Sequence, residues 1–122
     1  MQANIAWSDR RGVPGVPSAL YYSGRVYTFK DGGLVFCRVA ETGELLYSER
    51  LGPLGYYYSS PVAADQRIYI ASAEGVVVVL EAGDKLNILA TNKLDGGILA
   101  TPALVGGNIY VRTETHLYAF GN

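Results

Sequence analysis

The chain has 122 residues, of which 49% are hydrophobic and 17% are charged. This balance allows a packed core and excludes a disordered polar chain. Ten basic residues against eleven acidic ones leave a net charge of −1. That charge excludes the basic surface that nucleic acid or an anionic membrane requires. One cysteine and one histidine exclude a disulfide framework and any metal site built mainly from those side chains.

The first element in chain order is a short predicted strand at Asn4–Ser8, which contains the only tryptophan, Trp7. Residues 1–8 lack the basic start and the long apolar stretch of a secretion signal. The longest apolar run, Val76–Leu80, is far shorter than a membrane-spanning helix requires. The sequence therefore indicates no compartment and predicts no membrane insertion.

An internal repeat of about forty residues follows and is the strongest signal in the chain. Three segments begin at a proline and continue through a short turn into a strand with a central tyrosine. The aligned tyrosines are 42 and 41 residues apart, and each follows a β-branched residue. The aligned positions are Pro17, Pro61 and Pro102 for the proline and Tyr27, Tyr69 and Tyr110 for the tyrosine.

Each repeat is predicted to be a hairpin followed by two further strands. Tight turns such as Ser23-Gly24 link the first two strands. A short gap precedes a third, apolar strand, and a second turn leads to a fourth strand at Leu45–Arg50 or Leu86–Lys93. The predicted boundaries are 17–50 for the first blade, 60–93 for the second, 100–120 for a third that lacks its own outer strand, and 4–9 for an orphan outer strand.

Four-stranded antiparallel units repeating at this length are typical of β-propeller blades. We therefore predict an all-β chain, a single propeller segment over residues 1–122 with three blades, whose ring is completed by oligomerisation. Cys37 lies in an apolar run and is expected to be a small buried residue. The positions predicted to be equivalent are Tyr27, Tyr69 and Tyr110 on the second strands and Val35, Val77 and Tyr118 on the third strands.

The segment Asp31–Tyr47 resembles the pyrroloquinoline-quinone-like repeat of quinoprotein propellers. In that repeat an Asp-Gly pair and an apolar strand lead to Ala-x-Asp-x-x-Thr-Gly-x-x-x-Trp. Here Thr42-Gly43 matches, and Tyr47 stands at the tryptophan position. Trp7 takes that position in the orphan strand, 40 residues before Tyr47, and Leu89 takes it in the second blade, 42 residues after Tyr47. The resemblance implies a ring of roughly six to eight blades, often in exported bacterial proteins.

The same resemblance implies two classes of function. Some members are calcium- and quinone-dependent alcohol dehydrogenases, and others are scaffolds. The enzymes need acidic and amide ligands for calcium, a catalytic aspartate and a tryptophan stacked on the quinone. We can place none of these residues here, because the only tryptophan, Trp7, falls at the blade-packing position. We therefore predict no catalytic residue, no metal site and no cofactor.

Loops on one face of a propeller are the usual place for a ligand. Three tyrosines on that face suit stacking on a sugar or peptide, or packing between blades. Two arginines suit a carboxylate or phosphate, or a solvated pair or ion pair with Glu74 or Glu114. Glu114 with the only histidine suggests acid–base chemistry, or simply a turn that enters the third strand. The ligand-binding candidates are Arg10, Arg11, Tyr56, Tyr57, Tyr58, Glu114 and His116.

These features favour a non-enzymatic propeller module that presents its loop face to a protein or small ligand. The alternatives are a fragment of a quinone-dependent dehydrogenase, or an excised or engineered propeller fragment without activity of its own. Three blades cannot close a ring within one chain, so we expect a homo-oligomer. In it, Asn4–Ser8 of one copy completes the third blade of another, which gives a head-to-tail dimer of six blades or, as a second choice, a trimer.

Overall fold

The computed structural model describes residues 5–11, 15, 17–52, 55–98 and 100–121. These residues contain eleven β-strands and no helix, so none of the described segments could cross a membrane as a helix. The strands are β1 Leu20–Tyr22, β2 Arg25–Lys30, β3 Leu34–Val39, β4 Leu45–Arg50, β5 Val62–Ala64, β6 Arg67–Ala71, β7 Val76–Glu81, β8 Ile88–Lys93, β9 Ala103–Val105, β10 Asn108–Arg112 and β11 Leu117–Phe120.

The strands form three antiparallel sheets in which neighbours in the chain are neighbours in space. β1 to β4 form the first sheet, β5 to β8 the second, and β9 to β11 the third. We call these sheets blade 1, blade 2 and blade 3. The predicted fold class, all-β with four-stranded antiparallel propeller blades, is confirmed, and within the described residues blade 3 has three strands.

Tight turns with left-handed backbone geometry join the first two strands of each blade. Positive φ at both central residues is the geometry whose twist matches that of two paired strands. Glycine and aspartate tolerate this conformation better than most residues, so the turn sequences set the register of each hairpin. The φ values are 50° and 77° at Ser23 and Gly24, 53° and 61° at Asp65 and Gln66, and 56° and 84° at Gly106 and Gly107.

The second-strand tyrosines occupy equivalent positions, as predicted. Tyr27 is fully buried, whereas Tyr69 and Tyr110 are half-buried, so the same position in the blade is more buried in blade 1 than in the other two blades. Each tyrosine pairs with one residue of the first strand and one of the third: Tyr27 with Leu20 and Cys37, Tyr69 with Val62 and Val79, and Tyr110 with Ala103 and Ala119.

Two apolar clusters hold the blades together, and β7 contributes to both. Val78 and Leu80 belong to the cluster between blades 1 and 2, and Val77 belongs to the cluster between blades 2 and 3. A strand covered on both faces needs no polar alternation, which explains the unbroken apolar run of this strand. The first cluster comprises Tyr27, Phe29, Val35, Cys37, Tyr47, Leu51, Tyr57, Ile68, Ile70, Val78 and Leu80, and the second comprises Ala71, Val77, Leu94, Ile98, Ile109 and Val111.

The third strand of blade 3 is displaced by one residue from the predicted alignment. The pairing of β10 with β11 makes Leu117 the equivalent of Val77, so the prediction of Tyr118 at that position is wrong. The cause is a shorter turn. The closing backbone hydrogen bond spans residues 113–116 in blade 3 and residues 72–76 in blade 2.

The fourth strand of blade 2 is also displaced by one residue. Tyr47 pairs with Cys37, and the residue that pairs with the equivalent Val79 is Ala90 rather than Leu89. The turn before β8 contains one more residue than its counterpart in blade 1, and this insertion moves the alignment. The tryptophan position of the repeat is therefore occupied by alanine in blade 2.

The segment before blade 1 is anchored through its tryptophan. Residues 5–9 belong to no sheet of the single chain, and Asn4 lies outside the described residues. The Trp7 Nε1–H donates to the carbonyl of Ala40 at 2.8 Å. The indole ring packs so closely on Gly43 that a Cβ there would come within 2.5 Å of it. The segment thus lies against blade 1, and its role as an outer strand stays a prediction.

Candidate ligand-binding face

Turns and blade connections meet on one face of the three blades. The N–H of Gly32 donates to the carbonyl of Gly55 at 2.7 Å, and the N–H of Ala73 donates to the carbonyl of Tyr56 at 2.7 Å. In both pairs a turn between second and third strands is joined to a connection that leads into a blade. We call this surface the loop face. It comprises turns 30–33, 72–75 and 113–116 with the described parts of connections 51–61 and 94–102.

The three consecutive tyrosines of the loop face divide into one buried and two exposed side chains. Tyr57 is 3% exposed and contacts Phe29 edge-on, with 6.3 Å between ring centroids. Burial raises the pKa of Tyr57 to about 12, so its hydroxyl stays protonated at neutral pH. Tyr56 and Tyr58 are 59% and 47% exposed. Tyr57 is therefore a packing residue, and the other two are the rings that a ligand can reach.

Two carboxylates hold the backbone that carries these rings. The Tyr56 N–H donates to Glu74 Oε1 at 3.0 Å, and the Tyr57 N–H donates to Asp31 Oδ1 at 2.9 Å. Asp31 comes from the turn of blade 1 and Glu74 from the turn of blade 2. Hydrogen bonds to an ionised acceptor are stronger than neutral ones. The exposed rings are therefore presented on a backbone that is fixed from both neighbouring blades.

The turn between β10 and β11 forms the second part of the loop face. His116 is exposed, its Nδ1 lies 2.7 Å from Thr115 Oγ1, and its ring centroid is 5.5 Å from that of Tyr118. A cavity of about 230 Å³ opens beside this turn. Its lining includes a guanidinium and a carboxylate, which suits a polar ligand with groups of both kinds. The lining residues are Gly97, Ala100, Arg112, Thr113 and Glu114.

Arg112 is not among the residues predicted from the sequence. It ends β10, at the position that is occupied by the buried Phe29 in blade 1 and the buried Ala71 in blade 2. The sequence alone could have pointed to Arg112, because the other two repeats have an apolar residue at this position. The structure brings Arg112 and Glu114 to one cavity.

The two arginines predicted to bind a ligand, Arg10 and Arg11, differ from each other in their contacts. Arg10 is exposed, and Arg11 pairs with Asp9 at 2.9 Å rather than with Glu74 or Glu114. The buried guanidinium of Arg38 donates to the carbonyl of Arg11 at 2.7 Å and to Asp9 at 3.2 Å. Hydrogen bonds from the Arg11 side chain and backbone hold the pKa of Asp9 well below its usual range. These contacts tie the N-terminal segment to blade 1.

Among the described residues, neither Trp7 nor the acidic side chains fit the quinone and calcium site of the enzymes that the repeat resembles. Trp7 is committed to Ala40 and Gly43 by its hydrogen bond and ring packing, so its ring does not lie free to stack on a quinone. In the part of the chain that the structure describes, no three His, Cys, Asp or Glu side chains come together to hold a metal ion.

A comparison of sequences decides the family. The sequence profile of the family described as outer membrane protein assembly factor BamB matches residues 3–85, which is more than half of the chain. The chain belongs to this family. The match covers blade 1 and most of blade 2 together with the segment that contains Trp7. This match, together with the likeness to solved dehydrogenase propellers, confirms the resemblance of the repeat to quinoprotein propellers. The sequence matches no curated protein.

Solved propellers share the fold of this family member. BamB from Moraxella catarrhalis superimposes with a TM-score of 0.67 at 20% identity, over 83% of this chain and 29% of that one. A europium-containing methanol dehydrogenase gives 0.71 at 16% identity, over 88% and 22%. A quinohemoprotein alcohol dehydrogenase from Pseudomonas putida gives 0.64 at 14% identity, over 80% and 16%. The chain spans less than a third of each of these proteins, and the likeness concerns the fold.

Proposed function

We propose that the chain is a non-enzymatic propeller module that binds a partner through its loop face. Propellers of this type include both BamB and dehydrogenases, so the fold does not choose between binding and catalysis. The observation that carries the proposal is the pair of exposed rings, Tyr56 and Tyr58, on a backbone held by Asp31 and Glu74. Exposed tyrosines on a rigid scaffold are enriched among the residues that dominate protein interfaces.

The partner that we propose is a polypeptide segment. A tyrosine ring offers apolar area and its hydroxyl offers a hydrogen bond, which together suit the mixed surface of an extended peptide. Arg112 and Glu114 add one charge of each sign at the neighbouring cavity. The family description as an outer membrane protein assembly factor supports a protein partner rather than a small substrate.

The experiment uses a panel of immobilised short peptides of random sequence and the 122-residue chain. We expect the chain to bind a subset of the panel, and the double variant Tyr56→Ser with Tyr58→Ser to lose that subset. The matched control is Ile88→Ser, which removes an exposed apolar side chain from the outer strand of blade 2. Binding of the same subset by the tyrosine double variant would contradict the proposal.

A reconstitution experiment distinguishes the dehydrogenase alternative from the binding module. The chain is incubated with calcium and pyrroloquinoline quinone, and then assayed for a bound-quinone absorption spectrum and for dye-linked alcohol oxidation. Our proposal expects neither signal, since Trp7 is held in blade packing. A bound quinone together with alcohol oxidation would overturn the binding-module proposal.

We also propose that copies of this chain associate head to tail. Blade 3 exposes Leu117 and Val105 on one face, at 73% and 63%, and blade 1 exposes Tyr21 at 67% on the opposite face. The equivalent of Leu117 in blade 2, Val77, is buried against the next blade, and the equivalent of Tyr21, Ala63, packs in the cluster between blades 1 and 2. Inside the chain, the faces equivalent to these two pack against neighbouring blades.

We propose that a second copy of the chain covers these faces. In this assembly, residues 5–9 of one copy lie alongside β11 of the other. The Trp7 contact with Ala40 already places that segment at the edge of blade 1. Strand addition would supply backbone hydrogen bonds to β11, which pairs only with β10 among the described strands. A head-to-tail dimer of six blades is the assembly that we propose, with a trimer as the second choice.

A further inference from the structure

The tripeptide Asp-Gly-Gly occurs twice in the chain, at residues 31–33 and 95–97. The first copy forms the turn between β2 and β3, and the second lies in the connection between blades 2 and 3. Gly32 and Gly96, which follow the two aspartates, have nearly the same backbone angle, with φ values of 94° and 90°. An aspartate followed by glycine is prone to cyclise, because glycine has no side chain that hinders its own backbone nitrogen.

The cyclisation joins the side chain of the aspartate to the backbone. The glycine nitrogen loses its proton and attacks Cγ of the aspartate, one carboxyl oxygen leaves as water, and a succinimide ring forms. Water then opens the ring. Opening at the former main-chain carbonyl gives isoaspartate, in which the chain runs through the side-chain carbon, and opening at the other carbonyl restores aspartate. One water molecule leaves and one enters, so the product is an isomer, and the reaction depends only on the approach of nitrogen to carbon.

Two hydrogen bonds engage both reacting groups of the first copy. Asp31 Oδ1 accepts from the Tyr57 N–H at 2.9 Å, and the Gly32 N–H donates to the carbonyl of Gly55 at 2.7 Å. For the attack to take place, this N–H must be released and the carboxyl must turn toward the nitrogen. A hydrogen bond to a charged acceptor costs more to open than a neutral one. The fold therefore opposes cyclisation at Asp31.

The second copy has neither of these bonds to other residues that the structure describes. Asp95 is exposed, and its carboxylate forms no ion pair and accepts no hydrogen bond within this part of the chain. Its own N–H donates to the Tyr118 hydroxyl at 3.3 Å. In the same ranges, the Gly96 N–H donates to no backbone carbonyl. Neither reacting group of the second copy is engaged.

The connection that carries the second copy is nevertheless fixed to the blades on both sides of it. The Leu94 N–H donates to the carbonyl of Gly75 at 2.8 Å, and the Glu114 N–H donates to the carbonyl of Gly97 at 3.0 Å. Blades 2 and 3 thus define the position of Asp95. Its backbone is held at both ends of the tripeptide, while its carboxyl is free to turn toward the next nitrogen.

We propose that Asp95 is a site of spontaneous modification to isoaspartate, and that the fold protects Asp31 in the identical tripeptide. The modification inserts one carbon atom into the backbone of the connection and leaves the α-carboxylate as the free acid. It changes the connection through which the Ile98 N–H donates to the carbonyl of Ala73 at 3.1 Å. The proposal goes beyond the binding function, because it requires no partner and involves neither of the exposed tyrosines.

The test compares the two aspartates within the same molecules. The 122-residue chain is kept at neutral pH and physiological temperature, then unfolded and digested with an endoproteinase that cleaves before aspartate but not before isoaspartate. Conversion at Asp95 leaves the peptide 84–122 uncut, and conversion at Asp31 leaves the peptide 9–64 uncut. We expect conversion at Asp95 to be about tenfold faster or more, since a hydrogen bond to a charged acceptor must first open at Asp31.

The same incubation in guanidinium chloride is the matched control. Unfolding removes the hydrogen bonds at Asp31, so the two tripeptides should then convert at similar rates. Asp95→Glu keeps the charge but would require a larger ring, which forms far more slowly, so it should abolish conversion at this position and leave Asp31 as before. Equal conversion of both aspartates in a chain that circular dichroism shows to be folded would refute the proposal. So would an intact Asp95 in the folded chain after a time in which the unfolded chain converts.

Discussion

Tyr47 and Ala90 occupy the same register position on the fourth strands of successive blades. Tyr47 is 9% exposed and belongs to the closed cluster between blades 1 and 2, whereas Ala90 lines an open groove between blades 2 and 3. The backbone pairing around both residues is alike. In both blades the register shifts directly after the third-strand residue with which they pair, Cys37 or Val79. Closure of the first interface involves Tyr47 together with the turn after β7, where the Gly83 N–H donates to the Tyr27 hydroxyl at 3.1 Å.

Substitution of Tyr47 separates its ring from its hydroxyl. The hydroxyl oxygen is buried and has no hydrogen-bond partner among the described residues, so Tyr47→Phe should leave the free energy of unfolding unchanged or raise it by about 1 kcal/mol. Tyr47→Ala should lower it by about 3 to 5 kcal/mol, because it opens a cavity in a closed interface. Urea unfolding followed by circular dichroism measures both, and equal losses in the two variants would contradict this account.

Two glycines with the same backbone angle provide a matched test of the Trp7 contact. Gly24 and Gly43 both have a φ of +77°, but a Cβ at Gly24 meets nothing within 4 Å, whereas one at Gly43 meets the Trp7 ring. Gly24→Ala should cost about 1 to 2 kcal/mol for the left-handed backbone alone. Gly43→Ala should cost more and should also shift the fluorescence of Trp7, the only tryptophan. Identical costs with unchanged fluorescence would show that the ring does not pack there in solution.

The thiol of Cys37 should report on the opening of blade 1. Burial raises the pKa of Cys37 to about 11 from an ordinary value of 9.0, and the side chain is fully buried. Because the folded pKa is the higher one, the stability contributed by the neutral thiol is complete below pH 9 and is lost as the pH rises toward 11. Ellman's reagent at pH 8 should react with Cys37 only as fast as the protein unfolds, and Cys37→Ala should remove this part of the alkaline pH dependence. Rapid reaction in the native state would contradict the burial.

Self-association is tested by mass in solution. Multi-angle light scattering of the 122-residue chain should give the mass of a dimer, and deletion of residues 1–9 should shift it toward the monomer. Leu117→Glu should have the same effect, since it puts a charge on the exposed face of blade 3. A stable monomer of the full chain would rule out the head-to-tail contact. A deletion variant that still dimerises would show that the N-terminal segment is not part of it.

The blade architecture of this chain follows from local features of its sequence. Repeat length, tight-turn residues and apolar third strands are local signals, and a meander needs only local pairing. Cys37 was expected to be buried for the same reason, and the structure places it at 0% exposure. The spacing of Trp7 to Tyr47 predicts a blade-packing position for the tryptophan, and its ring lies against Gly43 of blade 1, whereas the role of its segment as an outer strand stays a prediction.

Features that depend on one residue more or less in a turn became apparent only from the strand pairing in the folded chain. A turn shorter by one residue moved Leu117 into the position predicted for Tyr118, and a turn longer by one residue put Ala90 in place of Leu89. Because successive side chains of a strand point to opposite faces, each shift exchanges the residues that meet the next blade. The groove beside Ala90 and the separation of buried Tyr57 from its exposed neighbours arise between blades, where side chains distant in sequence compete for the same space.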